Sequence, residues 1–206
     1  MAEGTPITQM QNNSRNLKDL DFVNVPLKFE PQKYVNVFAD KNNKSLAETL
    51  EHRRYVKLKP IVLEKYSSFL DQPLGKFLLE NKQNGDDFYL RFLNKYGDLE
   101  YSEFSISDMN FFNLKGIYAY ILGDEIKYIG RCRDQMKKRI NQGYGKINPK
   151  NCYLDGQATN CHLNSRVTLL SGEVSLWLCA MDAEEEIESV ERKLIQKILP
   201  PWNIQR

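Results

Sequence analysis

Two phenols (Tyr118 and Tyr128), a guanidinium (Arg139) and a carboxylate (Glu191) are the side chains of this 206-residue sequence whose types and order suggest chemistry. Tyr118 ends the string Gly116-Ile117-Tyr118, and after nine intervening residues Tyr128 opens Tyr128-Ile129-Gly130. Cutting a phosphodiester calls for an activated water, a counter-charge for the pentavalent transition state and help for the leaving alkoxide. Tyr118 would take the proton from the water once a nearby cation lowers its pKa from the unperturbed value of about 10. Arg139 would hold the scissile phosphate, a task for which a forked guanidinium is better suited than an ammonium. Tyr128 would orient phosphate or water. Glu191, as a single carboxylate, favours one hydrated Mg²⁺ or Mn²⁺ on the leaving-oxygen side. Cutting with two metals would call for a carboxylate cluster, and no second acid is clearly aimed at the site.

The elements that must position these groups are legible around them. Gly116–Leu122 and Ile126–Gly130 are β-branched and aromatic runs joined by Gly123-Asp124, the pattern of a hairpin. Alternation puts Tyr118 and Tyr120 on one face, with Tyr128 opposite them if the turn closes there. The competing reading is that these are half-buried sheet aromatics with wet hydroxyls. Residues 134–142 read as a short helix with Asp134 as N-cap. Over 111–160 there are nine Lys or Arg against four Asp or Glu, while the whole chain carries only +2. Positive charge is therefore concentrated beside the tyrosines, as a polyanion partner requires, although a solvated helix face reads the same way. Val174–Met181 reads as a buried strand, and 182–199 as a helix with a capping box of Asp182 and Glu185. On a helical wheel Glu191 falls inside the stripe of Ile187, Val190, Leu194 and Ile198, with Glu184 at its border. A carboxylate on a packed face must be paired, protonated or bound to a cation. Arg139, a divalent metal, or a plain salt bridge to a neighbouring Lys or Arg would each satisfy it.

Together these residues resemble the GIY-YIG nucleases, over roughly residues 112–205. Tyr118 and Tyr128 match the two tyrosines of the namesake strings. Arg139 looks like the family arginine one residue later than usual, Lys138 occupying the usual spacing. Glu191 matches the metal-binding glutamate, and Asn203, in Pro200-Pro201-Trp202-Asn203, the asparagine that often closes the module. The family usually places a His or Tyr one helical turn after the arginine. Here that slot is Gly143, so the resemblance implies that Tyr144 fills the role if the helix ends early or bulges. Otherwise His162, in a polar loop over 156–164, is the nearest substitute. Arg131, Arg133, Lys137, Lys138, His162 and Asn203 are then the expected nucleic-acid contacts, and DNA the expected substrate.

The rest of the chain bounds this reading more loosely. With 41% hydrophobic residues it can build a substantial core, no segment approaches a membrane span, and residues 1–20 are polar and read as a disordered tail. Cys132, Cys152, Cys161 and Cys179 form no C-x-x-C pair, which points to reduced thiols and a cytoplasmic protein. Residues 21–110 carry fifteen Lys or Arg against sixteen Asp or Glu when counted with the tail, so this half is no obvious DNA surface. In it, 22–38 holds two short strands and 45–56 an amphipathic helix. Further helices over 60–82 break near Pro73, and a hairpin is expected over 87–93 and 99–106. The expectation is an α+β protein in which 21–110 supplies substrate contacts or dimerisation. Residues 111–206, a small antiparallel sheet flanked by helices, would be a metal-dependent DNA endonuclease, of restriction type by analogy. Cutting both strands would favour a homodimer. The alternative is a catalytically impaired nucleic-acid-binding module of the same fold.

Overall fold

The computed structural model describes residues 20–170 and 172–204, so all but Leu20 of the expected tail lies outside the described residues. The fold is α+β, with small antiparallel sheets flanked by helices. In chain order its regular elements are β1 (Val23–Val25), β2 (Leu27–Tyr34), α1 (Leu46–Leu50), α2 (Lys59–Lys65), α3 (Leu74–Gln83), β3 (Tyr101–Ile106), β4 (Gly116–Leu122), β5 (Glu125–Cys132), a π-helix (Lys138–Tyr144), α4 (Ala158–Leu169), β6 (Val174–Ala180) and α5 (Glu184–Ile198). Short 3₁₀ turns link several of them. The chain forms two compact units. Of the described residues, one comprises those up to Pro31, Glu103–Lys146 and those from Leu169 onward; the other comprises Gln32–Ser102 and Ile147–Thr168. Both are discontinuous, where the sequence suggested a single boundary near residues 107–112.

The first unit is built on a four-stranded antiparallel sheet in the order β1-β6-β4-β5. The expected hairpin forms, with Gly123 and Asp124 at its turn and a register shift between Tyr120 and Ile121. Alternation along β4 divides the sheet chemically. Ile117, Ala119 and Ile121, joined by Ile126 and Ile129 of β5, pack with Ile187 and Leu194 of α5 and with Phe22. Full burial of such side chains contributes about 1.5–3 kcal/mol each, and this fixes α5 across β4 and β5. Gly116 opens β4 at φ 143°, where a Cβ would collide with the Cys179 carbonyl of the neighbouring strand, so only glycine fits. The expected capping box on α5 is absent. Ala183 holds the N-cap position, and three glutamates (Glu184, Glu185 and Glu186) in the first turn suit the helix dipole instead.

The second unit is mainly short helices around one core that includes Phe38, Leu46, Leu50, Phe77, Leu78 and Phe92. α1 starts with a capping box: Ser45 Oγ accepts from the Glu48 N–H at 3.2 Å, and Glu48 accepts from the Ser45 N–H at 2.7 Å. It is shorter than the expected helix over 45–56. The expected hairpin over 87–93 and 99–106 does not form. Asp86 accepts from the Phe88 N–H and starts a 3₁₀ helix over Asp87–Phe92, whose spacing sends Phe88, Tyr89 and Phe92 into the core. Strand β3 pairs with β2 instead. Residues 156–164, expected as a polar loop, lead into and form the first half of α4. Its Asn160, His162, Asn164, Ser165 and Thr168 are buried, which erases the amphipathic pattern that would have announced a helix. No helix among the described residues is long and apolar enough to cross a membrane.

Candidate active site

Strands β4 and β5 place Tyr120 opposite Tyr128 and Tyr118 opposite Gly130. The Tyr118 ring therefore crosses Gly130. A Cβ there would lie 2.5 Å from the Tyr118 hydroxyl and 2.7 Å from the Tyr128 ring, so the glycine of the second string makes room for the tyrosine of the first. The Tyr118 and Tyr144 hydroxyls share a hydrogen bond of 2.9 Å in which either can donate. The Tyr128 ring lies 6.2 Å from that of Tyr118 and 6.5 Å from that of Tyr144, and its hydroxyl interacts with both of theirs. Tyr120, also buried, completes a four-ring cluster on the face of β4 opposite the α5 core.

Tyr144 reaches this cluster because of the helix that carries it. The helix begins at Met136, not after an Asp134 cap, and runs as a π-helix from Lys138 to Tyr144. Its Gly145 N–H donates to the Ile140 carbonyl at 2.6 Å, an i→i+5 bond. In such a turn the residue five positions on takes the place that the fourth occupies in an α-helix. Tyr144, five residues after Arg139, thus stands where the resemblance calls for an aromatic or a His, and the Arg139 guanidinium lies 6.0 Å from its ring centre. Lys138 is turned to solvent and bonds Asp134 at 2.7 Å. The substitute considered from sequence, His162, lies on α4 in the helical unit, buried with its ring 4.4 Å from that of Tyr96. It presents almost no surface to a nucleic acid.

The electrostatics hold the phenols neutral and the guanidinium charged. Burial pushes the Tyr118 hydroxyl well above the ordinary phenol range, Tyr144 and Tyr128 push the same way, and Arg139 pulls it back. Tyr128 is raised for the same first reason, burial, with Tyr144 and the Glu191 carboxylate adding to it. For Arg139 burial works against the cation, but the oxygens of Tyr118 and Tyr144 and the sulfur of Cys132 outweigh it. Tyr118 is therefore a donor and acceptor of hydrogen bonds here, and it becomes a base only when a further cation lowers its pKa.

Glu191 sits on α5, its side chain 17% exposed, and bonds Arg131 at 2.8 Å. Burial raises its pKa above the ordinary carboxyl range, and Glu188 adds to this; Arg131, Arg133 and Arg139 act in the opposite direction. Its charge is thus felt by both Tyr128 and Arg139. β5 is an outer strand of the sheet, so a carboxylate at its rim can influence groups on either face. Glu184, the border position on the wheel, is exposed.

Several side chains read from sequence as nucleic-acid contacts are otherwise engaged. Arg131 pairs with Glu191 and, at 3.5 Å, with Glu188, which also binds Arg133 and Arg192. Lys137 lies 4.9 Å from the Phe112 ring. The Asn203 amide brackets Ile129, accepting from its N–H at 3.0 Å and donating to its carbonyl at 2.8 Å, so it positions the strand next to Tyr128. The plain salt bridge that the sequence allowed for Glu191 forms, with Arg131 and not with Arg139, and alternation carries the signal for which arginine it is: Arg131 stands opposite Ile117, on the face covered by α5.

Among the described residues no group of three or more His, Cys, Asp or Glu converges. Among the described residues Glu191 is the carboxylate that acts on Tyr128, and its burial favours a cation beside it, a place that Arg131 fills. A single carboxylate can hold a hard divalent ion that keeps most of its waters, but not one that needs a cage of protein ligands.

Comparison of the chain with protein-family models, curated proteins and solved structures finds no match.

Proposed function

We propose that the tyrosine, arginine and glutamate groups form the active centre of a metal-dependent endonuclease that hydrolyses DNA phosphodiester bonds, a member of the GIY-YIG group by resemblance. The observation that carries this reading is the meeting of the Tyr118, Tyr128 and Tyr144 hydroxyls beside the Arg139 guanidinium, with Glu191 in electrostatic reach. A guanidinium next to three hydroxyls offers a charged, multidentate seat for a phosphate and for the negative charge that grows on it. Tyr118 and Tyr144, joined by a hydrogen bond either can donate, would pass the proton of the attacking water along the pair. Glu191 would hold Mg²⁺ or Mn²⁺, which when bound supplies charge for the leaving oxygen and lowers the phenol pKa. Gly130 and Asn203 keep Tyr118 and Tyr128 in place.

The test is cleavage of supercoiled plasmid with Mg²⁺, Mn²⁺ or EDTA. Metal-dependent nicking is expected, falling by about 100-fold or more in Tyr118→Phe and Glu191→Ala. A second reading, a nucleic-acid-binding module without turnover, is favoured by the Arg131–Glu191 pair, which supplies the carboxylate with a cation from the protein itself. DNA binding without cutting in any metal would select that reading, and absence of both would reject the two together.

A further inference from the structure

The helical unit contains a cavity of about 130 Å³ lined by Lys41, Asn43, Lys44, Thr49, His52, Tyr55, Lys150 and Asp155. At about 30 Å³ per water this is room for roughly four waters, or for one tetrahedral oxyanion with part of its hydration. Three of the lining residues are lysines and one is a carboxylate. Among the described residues none of the three ammonium groups lies within a salt-bridge distance of an acid. Asp155 is itself engaged, accepting a hydrogen bond from the Tyr55 hydroxyl.

Lys41 is the unusual member. It is only partly exposed, and its ammonium lies 4.7 Å over the Tyr153 ring. Burial depresses its pKa, and the neighbouring Lys44 and Lys150 depress it further against the pull of Asp155. Like charges gathered at a partly desolvated wall repel one another, an arrangement that an anion between them would relieve. Asn43 and His52 in the lining add hydrogen-bonding groups suited to phosphate oxygens, while the Thr49 hydroxyl already donates to the Ser45 carbonyl at 2.9 Å.

We propose that this cavity is a binding site for a phosphate group, gripped by Lys41, Lys44 and Lys150. The site lies within the helical unit, and it is independent of whether the protein cleaves DNA. The phosphate is either free or carried by a nucleic acid, and the two sources separate experimentally.

The experiment is calorimetric titration of the full-length protein with inorganic phosphate, in parallel with fluorescence anisotropy of a labelled duplex DNA. Expected is saturable phosphate binding that weakens about tenfold in Lys41→Gln and in the surface double variant Lys44→Gln/Lys150→Gln, the loss of a charge-assisted contact. Asp155→Asn, which keeps an acceptor for Tyr55 but removes the opposing charge, is expected to tighten binding several-fold. DNA affinity falling in step with phosphate affinity assigns the site to a nucleic-acid phosphate; unchanged DNA affinity assigns it to a free phosphate. Wild-type protein that takes up no phosphate overturns the proposal, as does binding unmoved in the lysine variants. Should Lys41→Gln fail to fold, the exposed double variant decides alone.

Discussion

Glu191 is where charge, burial and pairing compete most directly. Its folded pKa is raised, so the folded state holds the proton more tightly than the unfolded chain does. That contribution to stability is complete below the ordinary carboxyl range and is lost as pH rises through the folded value. Glu191→Gln should therefore flatten this part of the stability profile, with wild type gaining on the variant as pH falls from about 7 towards about 4 in thermal melts. At neutral pH the variant loses the partner of Arg131 but also the cost of a half-buried charge, so its melting temperature should change little, by about 2–4 °C at most. Cleavage, in contrast, should disappear. A parallel collapse of stability and cleavage would make Glu191 a structural residue.

The π-helix decides which residue faces the tyrosines. Tyr144→Phe removes one hydroxyl while keeping the ring, and plasmid nicking is expected to fall about 10²-fold with little change in melting. Gly143→Ala is a contrasting control. A Cβ at Gly143 meets nothing closer than 3.4 Å, and the position has no positive φ. It should leave nicking intact and stabilise the helix by about 0.5–1 kcal/mol, seen as a small rise in melting temperature. The two variants also mark what was legible in the sequence. The hairpin, its turn and the apolar stripe of α5 were readable because period-2 and period-3.6 patterns survive in them. The π-turn was not, because one surplus residue leaves composition and pattern almost unchanged and is revealed only by where Arg139 and Tyr144 end up. Helix α4 was hidden for the opposite reason, since hydrogen bonds inside the fold satisfy polar residues that a pattern reading sends to solvent. Arg131 was legible by alternation, yet its charge suggested a partner outside the molecule.

Among the described residues of the molecule, three asparagines repeat one arrangement, each bracketing both backbone groups of a strand residue. Asn203 holds Ile129, Asn141 of the π-helix holds Ile106 through bonds of 2.9 and 3.2 Å, and Asn164 of α4 holds Ser102 at 3.1 and 2.8 Å. Asn164 is fully buried, and its side-chain oxygen also lies 3.0 Å from the Thr168 hydroxyl, from which it can accept. Asn164→Ala should cost about 1–3 kcal/mol in denaturant unfolding, since it leaves buried backbone groups unpaired. Asn203→Ala, nearer the surface, should cost less stability yet lower cleavage, because Tyr128 is the neighbour of the residue it holds. These clasps carry no formal charge. Neither acid, alkali nor added electrolyte loosens them in the way an ionic tether is loosened, so the scaffold around the phenols should outlast the chemistry proposed for it. Activity should fade at the extremes of pH and ionic strength while the protein, followed by circular dichroism, is still folded.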